Sequence, residues 1–247
     1  MAVVQGLTEF LPISSSGHLV IFQKFFGFDQ PPVSFDILLH LGSLLAIFLF
    51  LKDQIFRLIL NFKNEWRLIL AIVIGTFPAA LLGVGFKKEI EATFDSLALV
   101  AVFYLVTAAL LFSTRLIRNK KQKKLSQISP LEALLLGIFQ AIAVFPGISR
   151  SGSTIVGGLW QNFSPEAAFQ FSFLLAIPAI LGATVIEARE MTNQINFFYG
   201  GLAMIISVAT SLLSLKFLSK MLKSEKLYLF SGYCFLTSLV LLVYLHF

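Results

Sequence analysis

Only 13% of the 247 residues are charged, and the chain has one cysteine, two tryptophans and three histidines. Each shortage excludes something. Soluble globular domains carry about 25% charged residues, so 13% charged beside 57% hydrophobic, with a mean hydropathy of +0.86, rules out a water-soluble enzyme. A lone cysteine, Cys234, leaves no intramolecular disulfide and no thiolate cluster for zinc, and its apolar run marks a packed thiol. Acidic residues are also scarce, 13 against 19 Lys and Arg, for a net charge of +6. Basic loops facing the cytoplasm of a membrane protein account for that surplus better than a nucleic-acid surface does. Phenylalanine, by contrast, is plentiful. Twenty-seven of them, mostly inside long apolar runs, exceed what one soluble core of this size buries, so lipid is the solvent for much of the surface.

Crossing a bilayer as a helix takes roughly 17–25 residues. Six stretches meet that length: 33–51, 66–86, 96–114, 167–186, 197–215 and 227–247. Their charges are few and terminal (Asp36, Arg67, His246), except for His40, which sits a full turn inside and reads as a packed polar residue. A secretory signal peptide is not expected, because the polar 5–16 stretch interrupts the N-terminal apolar run. Two further segments, 1–28 and 131–163, are apolar but broken by Pro, Gly and Ser, and read as re-entrant hairpins. Irregular backbone at membrane depth is tolerated only inside protein or around a water-filled cavity, so a broken segment points to a site.

Loop charge predicts the orientation. The 115–130 loop carries Arg115, Arg118, Lys120, Lys121, Lys123 and Lys124 without an acid, and 216–226 carries four Lys against Glu225. Both are expected in the cytoplasm. The loops 87–95 and 187–196 are not basic and suit the outer side, in agreement with strict alternation of six spans. The first broken segment then enters from outside and the second from the cytoplasm.

The two broken segments are also alike. QGLTEFLPISSSG from Gln5 laid over QAIAVFPGISRSG from Gln140 gives six identities in thirteen, where ordinary usage gives roughly one. FDILLHL from Phe35 resembles FSFLLAI from Phe171 at nearly the same offset. The chain therefore divides into 1–130 and 131–247, each a broken segment followed by three spans. An odd number of crossings forces opposite orientations, the inverted-repeat architecture whose site lies where the broken helices meet near mid-membrane. Shared low-complexity composition is the plain alternative.

Differences between the halves supply the chemistry. Glu9, Ser15 and His18 in the first stand opposite Val144, Arg150 and Ser153 in the second. A carboxylate, a hydroxyl and an imidazole serve proton transfer, nucleophilic attack or metal binding. The turn from Pro146 to Thr154 leads into a helix whose free N–H groups, with the hydroxyls of Ser149, Ser151 and Thr154, form an anion site. Arg150 adds a planar fork for two phosphate oxygens, and an ion pair with Glu9 is its alternative role. Gln5 and Glu9, four apart, share a helix face and can address a divalent cation bridging to phosphate. Ser15 and His18, three apart, suit a nucleophile and base, with His18 also a candidate ligand or nucleophile.

At these residues the sequence resembles the bacterial undecaprenyl-diphosphate phosphatase family, the bacitracin-resistance type, through QGLTEFLPISSSGHL from Gln5 and PGISRSGSTI from Pro146. SFDILLHLGSLLA from Ser34, IGTFPAALLG from Ile74 and SPEAAFQFSFLLAIP from Ser164 extend the likeness over nearly the whole chain. The resemblance implies an all-α integral membrane fold of six spans and two re-entrant hairpins in inverted repeats. It implies hydrolysis of undecaprenyl diphosphate to the monophosphate and phosphate, which recycles the lipid carrier of peptidoglycan synthesis and confers bacitracin resistance. The family's acidic motif falls on Gln5 and Glu9, its Ser/His loop on Ser14, Ser15 and His18, and its phosphate-binding signature on Ser149, Arg150 and Thr154, with Ser151 beside them. Members carry Glu or Gln at the position of Gln5, so Glu9 is the dependable carboxylate and the expected metal contact. Members usually have about ten more apolar residues ahead of this motif, which predicts a short first arm.

The expected cofactor is a divalent cation, Mg²⁺ or Ca²⁺. Expected partners are the polyprenyl diphosphate and membrane lipids, with a homodimer compatible and no nucleic acid. The expected location is the bacterial inner (plasma) membrane, multi-pass, with the cavity facing outward. Glu9, Ser15, His18 and Arg150 are the expected catalytic set, with Ser15 favoured as nucleophile assisted by Glu9 or His18. A secondary transporter or lipid flippase is the principal rival, since inverted repeats with broken helices are a transporter architecture. An assembly subunit gives no reason to hold Glu9, His18 and Arg150 in apolar segments.

Overall fold

The computed structural model describes residues 1–26, 33–117, 122–188 and 197–246, and all regular elements among them are helical apart from one isolated bridge between Lys123 and Phe163. In chain order the α-helices are α1 (Ala2–Thr8), α2 (Ser15–Phe26), α3 (Val33–Phe50), α4 (Lys52–Leu60), α5 (Phe62–Gly85), α6 (Lys87–Phe94), α7 (Leu97–Ser113), α8 (Pro130–Ile142), α9 (Arg150–Trp160), α10 (Pro165–Ala188), α11 (Phe197–Lys223) and α12 (Leu229–His246).

Five of these helices are long and apolar enough to cross a membrane: Phe62–Gly85, Leu97–Leu116, Pro165–Ala188, Phe198–Lys223 and Leu229–His246. Each overlaps an expected span. The span expected at 33–51 coincides with α3, of which Ile37–Phe50 counts as a shorter apolar helix. Loops expected at 52–65 and 87–95 contain α4 and α6, because backbone hydrogen bonding continues where side-chain hydropathy stops. The expected cytoplasmic charges Arg118, Lys120 and Lys121, the side chain of Asp36, the end of the first hairpin beyond residue 26 and the 189–196 part of the second outer loop lie outside the described residues.

Both broken segments are helix–turn–helix units. α1 stops at Thr8 and α2 begins at Ser15, after Ser14 has taken a left-handed conformation at φ 63°. α8 starts in a capping box, with Ser129 Oγ accepting from Glu132 N at 3.3 Å and Glu132 accepting from Ser129 N at 2.9 Å. Pro130 follows at the first helical position. α9 starts at Arg150, capped by Ser149, whose Oγ accepts from Gly152 N at 3.1 Å. Between them, Gly147 at φ 104° supplies a turn that a side chain would strain.

The helix pairs that position these turns are α1 on α11, α5 on α8, α3 on α11, α10 on α3 and α9, and α7 on α12. The α5–α8 crossing is a close backbone approach. A Cβ added to Gly137 would stand 2.4 Å from Gly75 O, so the two backbones touch where no side chain fits. Lys123 ties the preceding linker to the far end of the second unit, donating its N–H to Asn162 O at 2.8 Å and accepting from Ser164 N at 2.9 Å.

Candidate active site

The turns of the two units meet. Ser14 Oγ accepts the Gly147 N–H at 3.0 Å and the Gly17 N–H at 3.3 Å, so a hydroxyl from the first turn closes the second. Those bonds also stabilise the left-handed backbone of Ser14, which costs a non-glycine residue of order 1–3 kcal/mol. Thr107 on α7 braces the second turn, donating to Gly147 O at 2.7 Å and accepting from Ser149 N at 3.1 Å. Ser151 Oγ lies 3.4 Å from Leu11 O and 3.2 Å from Ser149 Oγ.

Glu9 sits at the end of α1, where the chain leaves the helix. Its Oε2 accepts from Ser15 Oγ at 2.6 Å and from Gln5 Nε2 at 3.0 Å, and its Oε1 accepts from Arg150 Nη2. The Arg150 and Glu9 side chains are 17% and 8% exposed. An ion pair this enclosed retains its charges only with good geometry and further hydrogen bonds, which Ser15 and Gln5 provide. Arg150 commits one arm of its fork. The other, Nη1, is buried without a partner among the described residues. A buried guanidinium N–H left unmet is costly, and an anion oxygen is its natural acceptor.

A cavity of about 490 Å³ opens from this pair. Glu9, Ser14, Ser15, Ser149 and Arg150 border its polar end, with His40 and Gln140. Thr76, Ala79, Ala80 and Gly83 of α5 and Pro178, Ala179 and Ala183 of α10 form its small, mainly apolar walls. Lys87, Glu91 and Glu187 mark its other end, with Lys87 and Glu91 3.6 Å apart.

Not every residue singled out from sequence borders the cavity. His18 is 7% exposed and lies behind the first turn. Its Nδ1 is 2.7 Å from Ser14 O and 2.9 Å from Tyr104 Oη, and its Nε2 is 2.6 Å from Tyr233 Oη. The hydroxyl partner of Ser15 is Glu9. Thr154 is buried, donating to Arg150 O at 2.8 Å and paired with Ser172 Oγ at 2.6 Å. Ser151 and Gln5 are buried as well. These side chains fix the backbone and the carboxylate that the cavity exposes. His40 was set aside in sequence, yet its Nδ1 lies 3.4 Å from Gln5 Nε2 and it borders the cavity. Its depth inside an apolar run was the signal.

For a cation the protein alone is a poor cage. Among the described residues no group of three or more His, Cys, Asp or Glu is placed to hold a metal. A carboxylate offers about four lone-pair sites, however, and Glu9 uses three. Gln5 Oε1 is buried without a partner among the described residues. That donor set fits a hard cation that takes its remaining ligands from substrate phosphate and water, the usual habit of Mg²⁺.

Long apolar helices around a buried ion pair, set at the polar end of a mainly apolar cavity, define a multi-pass membrane protein with a charged site among its helices. The family model described as BacA, bacitracin resistance protein, matches residues 1–240. Relatives named undecaprenyl-diphosphatase include one from Thermosipho africanus (strain TCF52B), 41% identical over 244 residues, covering 97% of this chain and 96% of the relative. One from Methanococcus maripaludis (strain C5) is 39% identical over 250 residues, 99% and 98% of the two chains. Another, from Carboxydothermus hydrogenoformans, is 40% identical over 252 residues, 98% and 94%. The chain belongs to the BacA family.

Proposed function

We propose that this chain is an undecaprenyl-diphosphate phosphatase, hydrolysing the lipid diphosphate to undecaprenyl phosphate and inorganic phosphate. The observation that carries the reading is the half-used Arg150 fork, with Nη2 on Glu9 and Nη1 unpartnered among the described residues, in a side chain that borders the same cavity as Ser15. A diphosphate headgroup gives Nη1 its acceptor, and the apolar walls of α5 and α10 suit the start of a prenyl chain.

Ser15 Oγ attacks the terminal phosphorus while its proton passes to Glu9 Oε2, the oxygen it already touches at 2.6 Å. The P–O bond to undecaprenyl phosphate breaks, and that anion leaves with its tail in hydrocarbon. Water then attacks the phosphoserine, and Glu9 returns its proton to Ser15 Oγ as phosphate departs. Arg150 Nη1 and the N–H groups at the start of α9 stabilise the equatorial oxygens, where charge develops. A Mg²⁺ or Ca²⁺ ion bound through Glu9, Gln5 Oε1 and the diphosphate would neutralise further phosphate charge. His18 acts through the Ser14 turn that it holds with Tyr104 and Tyr233.

The architecture belongs to the same proposal: six spans and two re-entrant hairpins in inverted repeats. Its support is the exchange of partners between halves. α1 packs on α11 as α8 packs on α5, α3 on α11 as α10 on α5, and α7 pairs with α12, its own counterpart. Loop charge supports a cavity that faces the outer side of the plasma membrane. Phosphate release from undecaprenyl diphosphate by the purified protein tests the function. Movement of intact substrate across vesicles without inorganic phosphate would instead make it a transporter.

A further inference from the structure

The first-half Gln5 directs its amide nitrogen to Glu9 and His40, at 3.0 and 3.4 Å. In the sequence overlay Gln140 is its counterpart, but Glu9 is replaced by Val144 and, in the FDILLHL and FSFLLAI segments, His40 by Ala176. The second half has kept the amide and lost both partners. The structure bears out the consequence: Gln140 is 2% exposed, and neither Nε2 nor Oε1 has a hydrogen-bond partner among the described residues. Gln140 is nevertheless among the residues that border the cavity, together with Ser149 and Arg150, with its amide buried just behind that surface.

A buried primary amide with every valence unmet is an expensive thing to keep in a packed helix pair. The crossing of α8 with α5 has its own close contact one turn earlier, backbone against backbone at Gly137. A ligand in the cavity would satisfy it. The two Nε2 hydrogens suit anionic oxygens, and Oε1 suits a water or a protonated phosphate oxygen. Being neutral, the amide adds donors without deepening the charge that Arg150 already sets.

We propose that Gln140 is a substrate-contacting residue that donates to a non-reacting oxygen of the diphosphate. The inference rests on the phosphatase reading for the identity of the ligand. Its test pairs binding with turnover. Farnesyl methylenediphosphonate, which cannot be hydrolysed at its P–C–P link, is titrated calorimetrically into wild type, Gln140→Leu and Gln140→Glu, and the same proteins are assayed on undecaprenyl diphosphate. Leu should weaken analogue binding and raise KM by about tenfold, Glu should weaken both further by repulsion, and the Leu variant should melt no lower than wild type because it removes unmet polar atoms. Wild-type dissociation constants in both variants would overturn the contact. So would a Leu variant that loses thermal stability with KM unchanged, which would make the amide a scaffold group. Gln140-dependent binding by a wild type that releases no phosphate would instead overturn the phosphatase reading alone.

Discussion

Replacing Arg150 with Lys separates a phosphate-binding guanidinium from a mere counter-ion to Glu9. Lysine keeps the charge but presents one ammonium in place of a planar fork. In the structure the fork serves two places, with Nη2 on Glu9 Oε1 and Nη1 without a hydrogen-bond partner among the described residues. A lysine ammonium can hold Glu9 or reach the phosphate, and one charge-assisted contact is lost. Such a contact is worth about 1.5–3 kcal/mol, and each 1.36 kcal/mol is about tenfold in rate. Turnover should therefore fall at least roughly tenfold and up to about a hundredfold. The assay is inorganic phosphate release at saturating undecaprenyl diphosphate, with thermal melting in detergent to show that the variant folds. If Arg150 only pairs with Glu9, the Lys variant will turn over almost normally, and Glu9→Gln with Arg150→Gln will restore stability that either change alone removes. Near-normal turnover by Arg150→Lys would sink the phosphate-binding role.

Chelation with EDTA should abolish activity, and Glu9→Gln should lower both the rate and its dependence on added Mg²⁺; full activity in excess EDTA removes the cation from the mechanism. Gly137→Ala drives a methyl into Gly75 O and should cost about 1–3 kcal/mol of stability along with activity, whereas Gly232→Ala, where a Cβ meets nothing within 4 Å, should leave the melting temperature unchanged or raised; equal effects on melting would refute the close approach. Gln122→Cys should resist a membrane-impermeant maleimide applied to intact cells and Ala92→Cys should react, and the reverse pattern would invert the topology.

Much of this architecture was legible because lipid makes long apolar runs unambiguous, and because a run broken by Pro, Gly and Ser has few explanations other than a turn. The pairing of Glu9 with Arg150 was legible only as the alternative to a phosphate contact, since a sequence shows two opposite charges in related apolar segments but not whether they meet each other or a ligand. The partner of His18 could not. Three residues from Ser15 it seemed able to share that hydroxyl, but Ser15 is the first residue of α2 and its hydroxyl bonds to Glu9, whereas His18 bonds to Tyr104 and Tyr233 from α7 and α12. Those contacts span 86 and 215 residues of sequence, and local periodicity carries no information about them. α4 and α6 were likewise hidden, because hydropathy marks where a helix leaves the bilayer and not where its hydrogen bonds end.

The central claim, that Ser15 attacks while Glu9 takes its proton, is tested most directly by trapping. Wild-type protein mixed with undecaprenyl diphosphate carrying ³²P in the terminal phosphate is quenched within one turnover in sodium dodecyl sulfate near neutral pH, where phosphoserine and phosphohistidine both survive, and digested for mass spectrometry. The account predicts label on Ser15 as phosphoserine. Label on His18, or complete phosphate release with no labelled peptide at any time within the turnover, would contradict it.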